Sequence, residues 1–293
     1  MSDLLKKRYL TNALARSYLK YMKKKPLILV DLGATNCRAT IRDYRGEKVL
    51  RGLINSKYQT KIKKSKKSVI EAIQKVTERY REILENPTIK IAVPGIVKDE
   101  VTLPNLNIEN WDMKKALQTK LKTKDITLVN DVQAAWKGEQ TQGVVIYVGS
   151  GIGASDKGKN IEIGRSITYP NYKYMGYSKN PNIIENFASG HALKKIGESK
   201  GLKIDATKSE YAYKLSLSKD EKAKEILKEA GTILGKAILT YHKIKRYKKD
   251  KEYIIGGSLG TNKHYFEGIK NSNNLNIRKT KYKGSEAIYR GLI

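Results

Sequence analysis

One cysteine, three histidines and 29 acidic residues in 293 are the scarcities that bound this chain first. A single cysteine, Cys37, cannot build an intrachain disulfide framework or a multi-cysteine zinc site, so a reducing, cytoplasmic setting is the expectation. Three scattered histidines fit no metal-ligand spacing. No apolar run approaches the ~20 residues that span a bilayer, so membrane insertion is not expected. The N-terminal stretch is broken by charges every few residues and lacks the apolar core of a secretory signal. The shortage of acids is the most consequential. With 59 Lys and Arg the net charge is +30, and ion pairs with 29 acids cannot absorb that excess. Such a surface attracts polyanions, with an affinity that falls as salt rises.

What is present is a globular chain. Its length suggests about two domains, each large enough for its own core. Residues 2–23 place Leu4, Leu5, Leu10, Ala13, Leu14 and Tyr18 at helical spacing among basic residues, which predicts a basic amphipathic helix ended by Pro26. LILVDLG, CRATIRDY and EKVLRGLI then read as three successive strands. A basic stretch from Lys57 to Lys67 leads into a helix, and IKIAVPG and ITLVND read as further strands. A second round of the same grammar opens with GVVIYVGSGIGAS. It continues through helices near 182–199, 207–217 and 219–247, the strand EYIIGGSLG and a final helix, GSEAIYRGLI. Strands followed by helices in two rounds give an α/β class.

Chemistry concentrates at the ends of the apolar strands. Asp31-Leu32-Gly33-Ala34-Thr35-Asn36 sets a carboxylate at the end of a buried strand, followed by a turn whose N–H groups can cradle phosphate. Asp31 is then placed to meet Mg²⁺ through water, although an Asp-Gly turn can equally be a turn alone. Gly149-Ser150-Gly151-Ile152-Gly153 lets backbone approach a ligand closely. Its spacing is not GxGxxG and no helix follows it, which argues against a dinucleotide site. GASDKGK (Gly153 to Lys159) is one residue short of a P-loop, is followed by Asn160, and reads as coincidence. Gly256, Gly257 and Ser258 form a third such turn. Asn130-Asp131 closes a strand and opens a helix, where a carboxylate serves as cap or as catalytic base. Glu162 and Glu185 are acids in otherwise uncharged surroundings.

Taken in order, DLGATNCRATI, IAVPGIV, LPNLNIENW, VNDVQAA, YVGSGIGAS, IEIG, IENFASGHAL, IIGGSLG and GSEAIYRGL resemble the sugar kinases of the ROK and glucokinase families, within the actin-like ATPase superfamily. The resemblance runs from Leu27 to the C-terminus. It implies two ribonuclease H-like lobes, each a mixed five-stranded sheet flanked by helices, with a cleft between them. The implied division is a basic extension over 1–26, a small lobe over 27–131 completed by the last helix (284–293), and a large lobe over 132–283. It further implies an ATP-dependent hexose kinase with Asp131 as general base. Gly95, Asn105, Asn130, Asp131, Glu162, Arg165 and Glu185 would contact the sugar. Asp31, Gly33, Ala34, Thr35, Asn36, Gly149, Ser150, Gly151, Gly153, Gly256, Gly257 and Ser258 would contact ATP, with Mg²⁺ near Asp31.

Two departures qualify the match. The family's Gly-His after the first sugar acid is Gly164-Arg165 here, and the cysteine cluster that holds structural zinc in many ROK members is absent, so no zinc is expected. Relatives of this kind are commonly homodimers. The alternatives are a kinase for an N-acylhexosamine or another sugar, or a ROK-type nucleic-acid-binding regulator without catalysis. The +30 charge invites the regulator, but such regulators carry a separate helix-turn-helix domain, whereas 26 residues precede the first strand.

Overall fold

The computed structural model describes residues 26–33, 36–43, 58–84, 87–168, 173–174, 183–206 and 208–293. The predicted N-terminal helix over 2–23 and the predicted strand over 47–54 lie outside them. The chain divides into two compact units. One runs to Ala134 and takes in Ile288–Ile293, and the other is Ala135–Ala287.

The first unit is built on β1 (Leu27–Leu32), β2 (Asn36–Arg42), β3 (Tyr58–Lys61), β4 (Thr88–Val93) and β8 (Ile126–Asn130), in the spatial order β3-β2-β1-β4-β8. β1 to β3 form an antiparallel meander, while β4 and β8 add to it in parallel. The parallel additions need crossovers, supplied by α1 (Lys66–Arg81) before β4 and α2 (Met113–Leu121) before β8. Ser65 caps α1 by accepting the Ser68 N–H, and Asp112 caps α2 by accepting that of Lys115. β1 is buried almost throughout, as expected of a central strand covered on both faces. Its Ile28, Val30 and Leu32 pack with Val69, Ile73 and Val76 of α1 and with Leu117 of α2 in one apolar cluster. Between β4 and α2 lies a small antiparallel sheet of β5 (Ile96–Val97), β6 (Val101–Leu103) and β7 (Ile108–Trp111), with a one-turn 3-10 helix at Pro104–Leu106.

The second unit repeats the plan. β9 (Val144–Val148), β10 (Ile152–Asp156) and β11 (Lys159–Ile161) form a meander, and β14 (Glu252–Gly256) and β15 (Asn276–Lys279) extend it in parallel, giving the order β11-β10-β9-β14-β15. A two-stranded pair, β12 (Ile167–Thr168) and β13 (Lys173–Tyr174), stands apart from that sheet. The helices of the chain from Asp131 onward are α3 (Asp131–Glu139), α4 (Ile163–Ser166), α5 (Glu185–Ala188), α6 (Gly190–Ser199), α7 (Lys208–Leu217), α8 (Glu221–Ile244), α9 (Lys263–Asn271) and α10 (Glu286–Gly291). Eleven residues of α8 are buried, among them Ile226, Leu227, Leu234 and Ile238. That apolar stripe makes α8 the main cover of the second core, together with Tyr253, Ile255 and Tyr265.

The α/β class and the two rounds of strand and helix are therefore present. The GASDKGK segment is a β-hairpin between β10 and β11, with no helix to complete a P-loop. α3 begins in the first unit and ends in the second. In the first unit α10 lies against it so closely that a Cβ on Gly291 would overlap the Ala134 carbonyl.

Candidate functional site

In the first unit the sheet register aligns the chemistry. Asp31 pairs with Ala92 across β1 and β4, and Ala92 pairs with Val129 across β4 and β8. The C-terminal ends of three parallel strands thus stand side by side, bearing Asp31, the Pro94-Gly95 turn and Asn130-Asp131. Ligands in open α/β sheets bind outside that edge. Asp31 is buried, and directly across the meander lies Arg38, whose guanidinium is 3.6 Å from it. The turn after β1 closes with the Gly33 N–H donating to the Asn36 carbonyl at 2.8 Å. Ala34 and Thr35 lie outside the described residues. Cys37 in β2 is fully buried, and its thiol is pushed far up by burial and then by Asp31, with Arg38 partly offsetting. It is no nucleophile.

Asn130 organises this edge. Its Oδ1 accepts the N–H groups of Val132 and Gln133, both at 3.0 Å, and its Nδ2 donates to the Gly95 carbonyl at 2.7 Å. It is therefore the cap of α3 and the tie to the β4 turn at once. Asp131 stands in the first position of α3 and accepts the Val132 N–H at 2.8 Å. Of the two roles the sequence left open at Asn130-Asp131, the Asn130 side chain carries most of the capping. Gly95 sits at φ +138°, where a Cβ would overlap the Thr102 carbonyl and meet Pro104. Pro104 opens the 3-10 turn that holds Asn105. Gly95, Asn130 and Asp131 are thus brought together, and Asn105 follows the Pro104 that Gly95 meets.

In the second unit β9 and β14 run parallel, so their C-terminal turns are neighbours. The Leu259 N–H donates to the Val148 carbonyl at 3.1 Å, linking the turn at 256–260 to the one at 149–153. Gly257, at φ +83°, packs against that same carbonyl with no room for a Cβ. The segment before α6 closes the other side. Gly190 donates to the Gly149 carbonyl at 2.8 Å and His191 to that of Ser150 at 3.2 Å, while a Cβ on Gly190 would come within 2.6 Å of Gly149. Ser189-Gly190 has no role in the residue patterns of the sequence taken singly. A serine cap followed by glycine at a helix start was the available signal, and Ser189 does cap α6.

Glu162, Arg165 and Glu185 form a second cluster in this unit. Arg165 Nε is 3.3 Å from Glu185 Oε2, and Glu185 Oε1 accepts the Ile152 N–H at 3.0 Å. The pair is therefore bonded to the residue that follows the 149–151 turn, which couples the acids to the glycine loop. Burial pushes the Glu162 carboxyl up, against the pull of Arg165 and with the repulsion of Glu185. Gly164 has its Cβ position 2.9 Å from Ile152, which seats α4 on β10. Arg165 thus meets Glu185 directly and acts on Glu162 through its charge.

Among the described residues no group of three or more His, Cys, Asp and Glu side chains converges as a metal centre. A magnesium ion accompanying a nucleotide asks for less, since it keeps several waters and takes one or two carboxylates plus substrate phosphates. The buried Asp31 carboxylate at a strand end fits that requirement. Among the described residues no helix is long and apolar enough to cross a membrane.

Comparison with solved structures finds the same fold. A ROK family glucokinase from Streptomyces griseus, solved with glucose and AMPPNP, matches with a TM-score of 0.72 at 17% identity, covering 91% of this chain and 97% of that one. A ROK hexokinase from Thermus thermophilus matches with a TM-score of 0.58 at 17% identity over 91% and 96%. A ROK family transcriptional regulator matches with a TM-score of 0.60 at 16% identity, covering 91% of this chain and 79% of that one. The two five-stranded units are those of the actin-like fold. No curated protein matches the sequence. The model of the ROK family matches residues 27–284, and the chain belongs to that family.

Proposed function

We propose that the protein is an ATP-dependent hexose kinase that moves the γ-phosphoryl group of Mg-ATP to the 6-hydroxyl of glucose or a related hexose. The observation that carries this reading is the set of strand ends in the first unit. There Asn130 takes over the capping of α3 and fixes the Gly95 turn, which leaves the adjacent Asp131 placed as a carboxylate at a ligand-binding edge.

Phosphoryl transfer asks a protein for little covalent work, so positioning and charge neutralisation dominate. Asp131 accepts the proton of the attacking sugar hydroxyl, a role worth typically ~10²–10⁴ in rate. Asn105, Asn130, Glu162, Arg165 and Glu185 hold the other hydroxyls. The turns at 31–36, 149–153 and 256–258 present backbone N–H groups to the nucleotide phosphates and a close surface to the nucleoside. Asp31 would hold magnesium, which would supply charge neutralisation on the phosphates. The ion pair with Arg165 holds the Glu185 carboxylate in one orientation.

The test is coupled ADP release with Mg-ATP against glucose, mannose, fructose, glucosamine, N-acetylglucosamine and N-acetylmannosamine. Turnover that depends on one or more neutral hexoses supports the proposal and names the substrate. Turnover with the N-acetylated sugars alone replaces it with an N-acylhexosamine kinase. Silence across the panel from folded, ATP-binding protein overturns it in favour of a regulator.

A further inference from the structure

Among the described residues, positive charge is dense on the segment that follows α8. α8 ends in His242-Lys243-Ile244, and the chain then runs Lys245-Arg246-Tyr247-Lys248-Lys249-Asp250-Lys251 into β14. Lys243, Lys245, Arg246, Lys248 and Lys249 are exposed, and Asp250 is the one exposed acid among them. This is not a loose lysine tail. Backbone bonds run from Lys245 to Tyr241, Arg246 to Lys243, Tyr247 to His242 and Lys251 to Lys248, all between 3.0 and 3.2 Å.

Beneath the segment lies a buried polar anchor. Asp156, at the end of β10, accepts from Tyr241 at 3.3 Å and from Tyr247, and its Oδ1 is 3.1 Å from Lys251 Nζ. Lys251 also donates to the Gln142 carbonyl at 2.8 Å and lies over the Tyr247 ring at 4.7 Å. Asp156 is also the residue from which the β10–β11 hairpin turns. That hairpin adds Lys157 and Lys159, both exposed, beside the basic segment. Lys251 and Asp156 neutralise each other inside, so their pairing serves to fix seven exposed cations in place. Held together with Asp250 as the one exposed acid in the segment, these cations repel one another unless an anion binds.

We infer that this face of the second unit, Lys243 to Lys249 with Lys157 and Lys159, binds the phosphate backbone of nucleic acid without regard to sequence. Six of the seven cations are lysines, point charges suited to phosphate rather than to the bidentate reading of bases. A membrane surface would want apolar side chains beside the cations, and Ile244 is the one large apolar residue exposed here. The chain's own basic N-terminal stretch is excluded as occupant by its charge. The inference is independent of the kinase reading, because it concerns neither the strand-end turns nor the acids of the sugar cluster.

The experiment is fluorescence anisotropy of a labelled oligouridylate of about 20 nucleotides, titrated with the full chain over a range of salt. Each phosphate contact to a single strand contributes about −0.7 to the slope of log affinity against log salt, so wild type should give a slope near −5. Lys243→Gln, Lys245→Gln, Lys248→Gln and Lys249→Gln combined should lower that slope by about 3 and weaken binding at least tenfold. The comparison is Lys63→Gln, Lys64→Gln, Lys66→Gln and Lys67→Gln, which removes the same charge from exposed positions of the first unit. It should change binding much less. Equal loss in both variants would overturn the inference, since net charge and not this face would be responsible. So would tighter binding to phosphatidylcholine vesicles carrying about one third phosphatidylserine than to the RNA. Circular dichroism confirms that both variants fold.

Discussion

Replacing Asn130 separates the structural and chemical demands on the strand-end site. The side chain makes three bonds: two accepted by Oδ1 from the first turn of α3 and one donated by Nδ2 to the Gly95 carbonyl. Asn130→Ala removes them all. Loss of a helix cap costs about 1 kcal/mol, and leaving the Gly95 carbonyl without its donor adds about 1–2 kcal/mol. The total is about 2–3 kcal/mol. Asn130→Ser keeps an oxygen for the cap and loses the Gly95 bond, so it should cost about half as much. Urea denaturation of the three proteins measures this, with the midpoint shifting and the slope unchanged if only the native state is affected. The same substitutions should lower turnover and raise the KM for the sugar, Asn130→Ala more than Asn130→Ser, because Asn130 is proposed both to hold a sugar hydroxyl and to fix the backbone under Asp131. A cost under ~0.5 kcal/mol for Asn130→Ala would refute the reasoning, as that is the range of an ordinary surface change.

Two further outcomes follow from other parts of the molecule. Gly257→Ala places a methyl group against the Val148 carbonyl at φ +83° and should destabilise by about 2–5 kcal/mol, read by thermal unfolding. Glu162→Gln should raise thermal stability. Burial, modulated by Arg165 and Glu185, makes the folded chain hold the Glu162 proton more tightly than the unfolded chain does. That contribution to stability is fully present below the ordinary carboxylate range and is lost as pH rises through the folded value. The variant's advantage should therefore be largest near pH ~7–8 and vanish near pH ~4. An advantage that grows on acidification would show the sign to be wrong.

Periodicity made the central strands legible. LILVDL and VVIYV are apolar runs because each lies inside a sheet, and both appear where expected as β1 and β9. The edge of the first sheet was not legible. Its third strand is Tyr58–Lys61, YQTK, a short polar segment, and an edge strand needs no apolar alternation to pair. Helix expected over 182–199 is broken at Ser189, whose extended backbone and cap divide α5 from α6. A local serine cap competes with helix continuation, and only contact with Gly149 and Ser150 decides between them. The site was half legible. Residue types at strand ends pointed to Asp31, Asn130 and Asp131, but that Asn130 caps while also holding Gly95 depends on register between β4 and β8. Likewise the bond from Glu185 to the Ile152 N–H joins residues 33 positions apart, which no local pattern encodes.

Proton acceptance by Asp131 is the central step of the proposed reaction. Asp131→Asn keeps the size of the side chain and an oxygen for the Val132 N–H while removing the base. Sugar-dependent turnover should fall by at least ~10²-fold in this variant while ATP binding and the unfolding midpoint stay close to wild type. Turnover within a few-fold of wild type would contradict the assignment of Asp131.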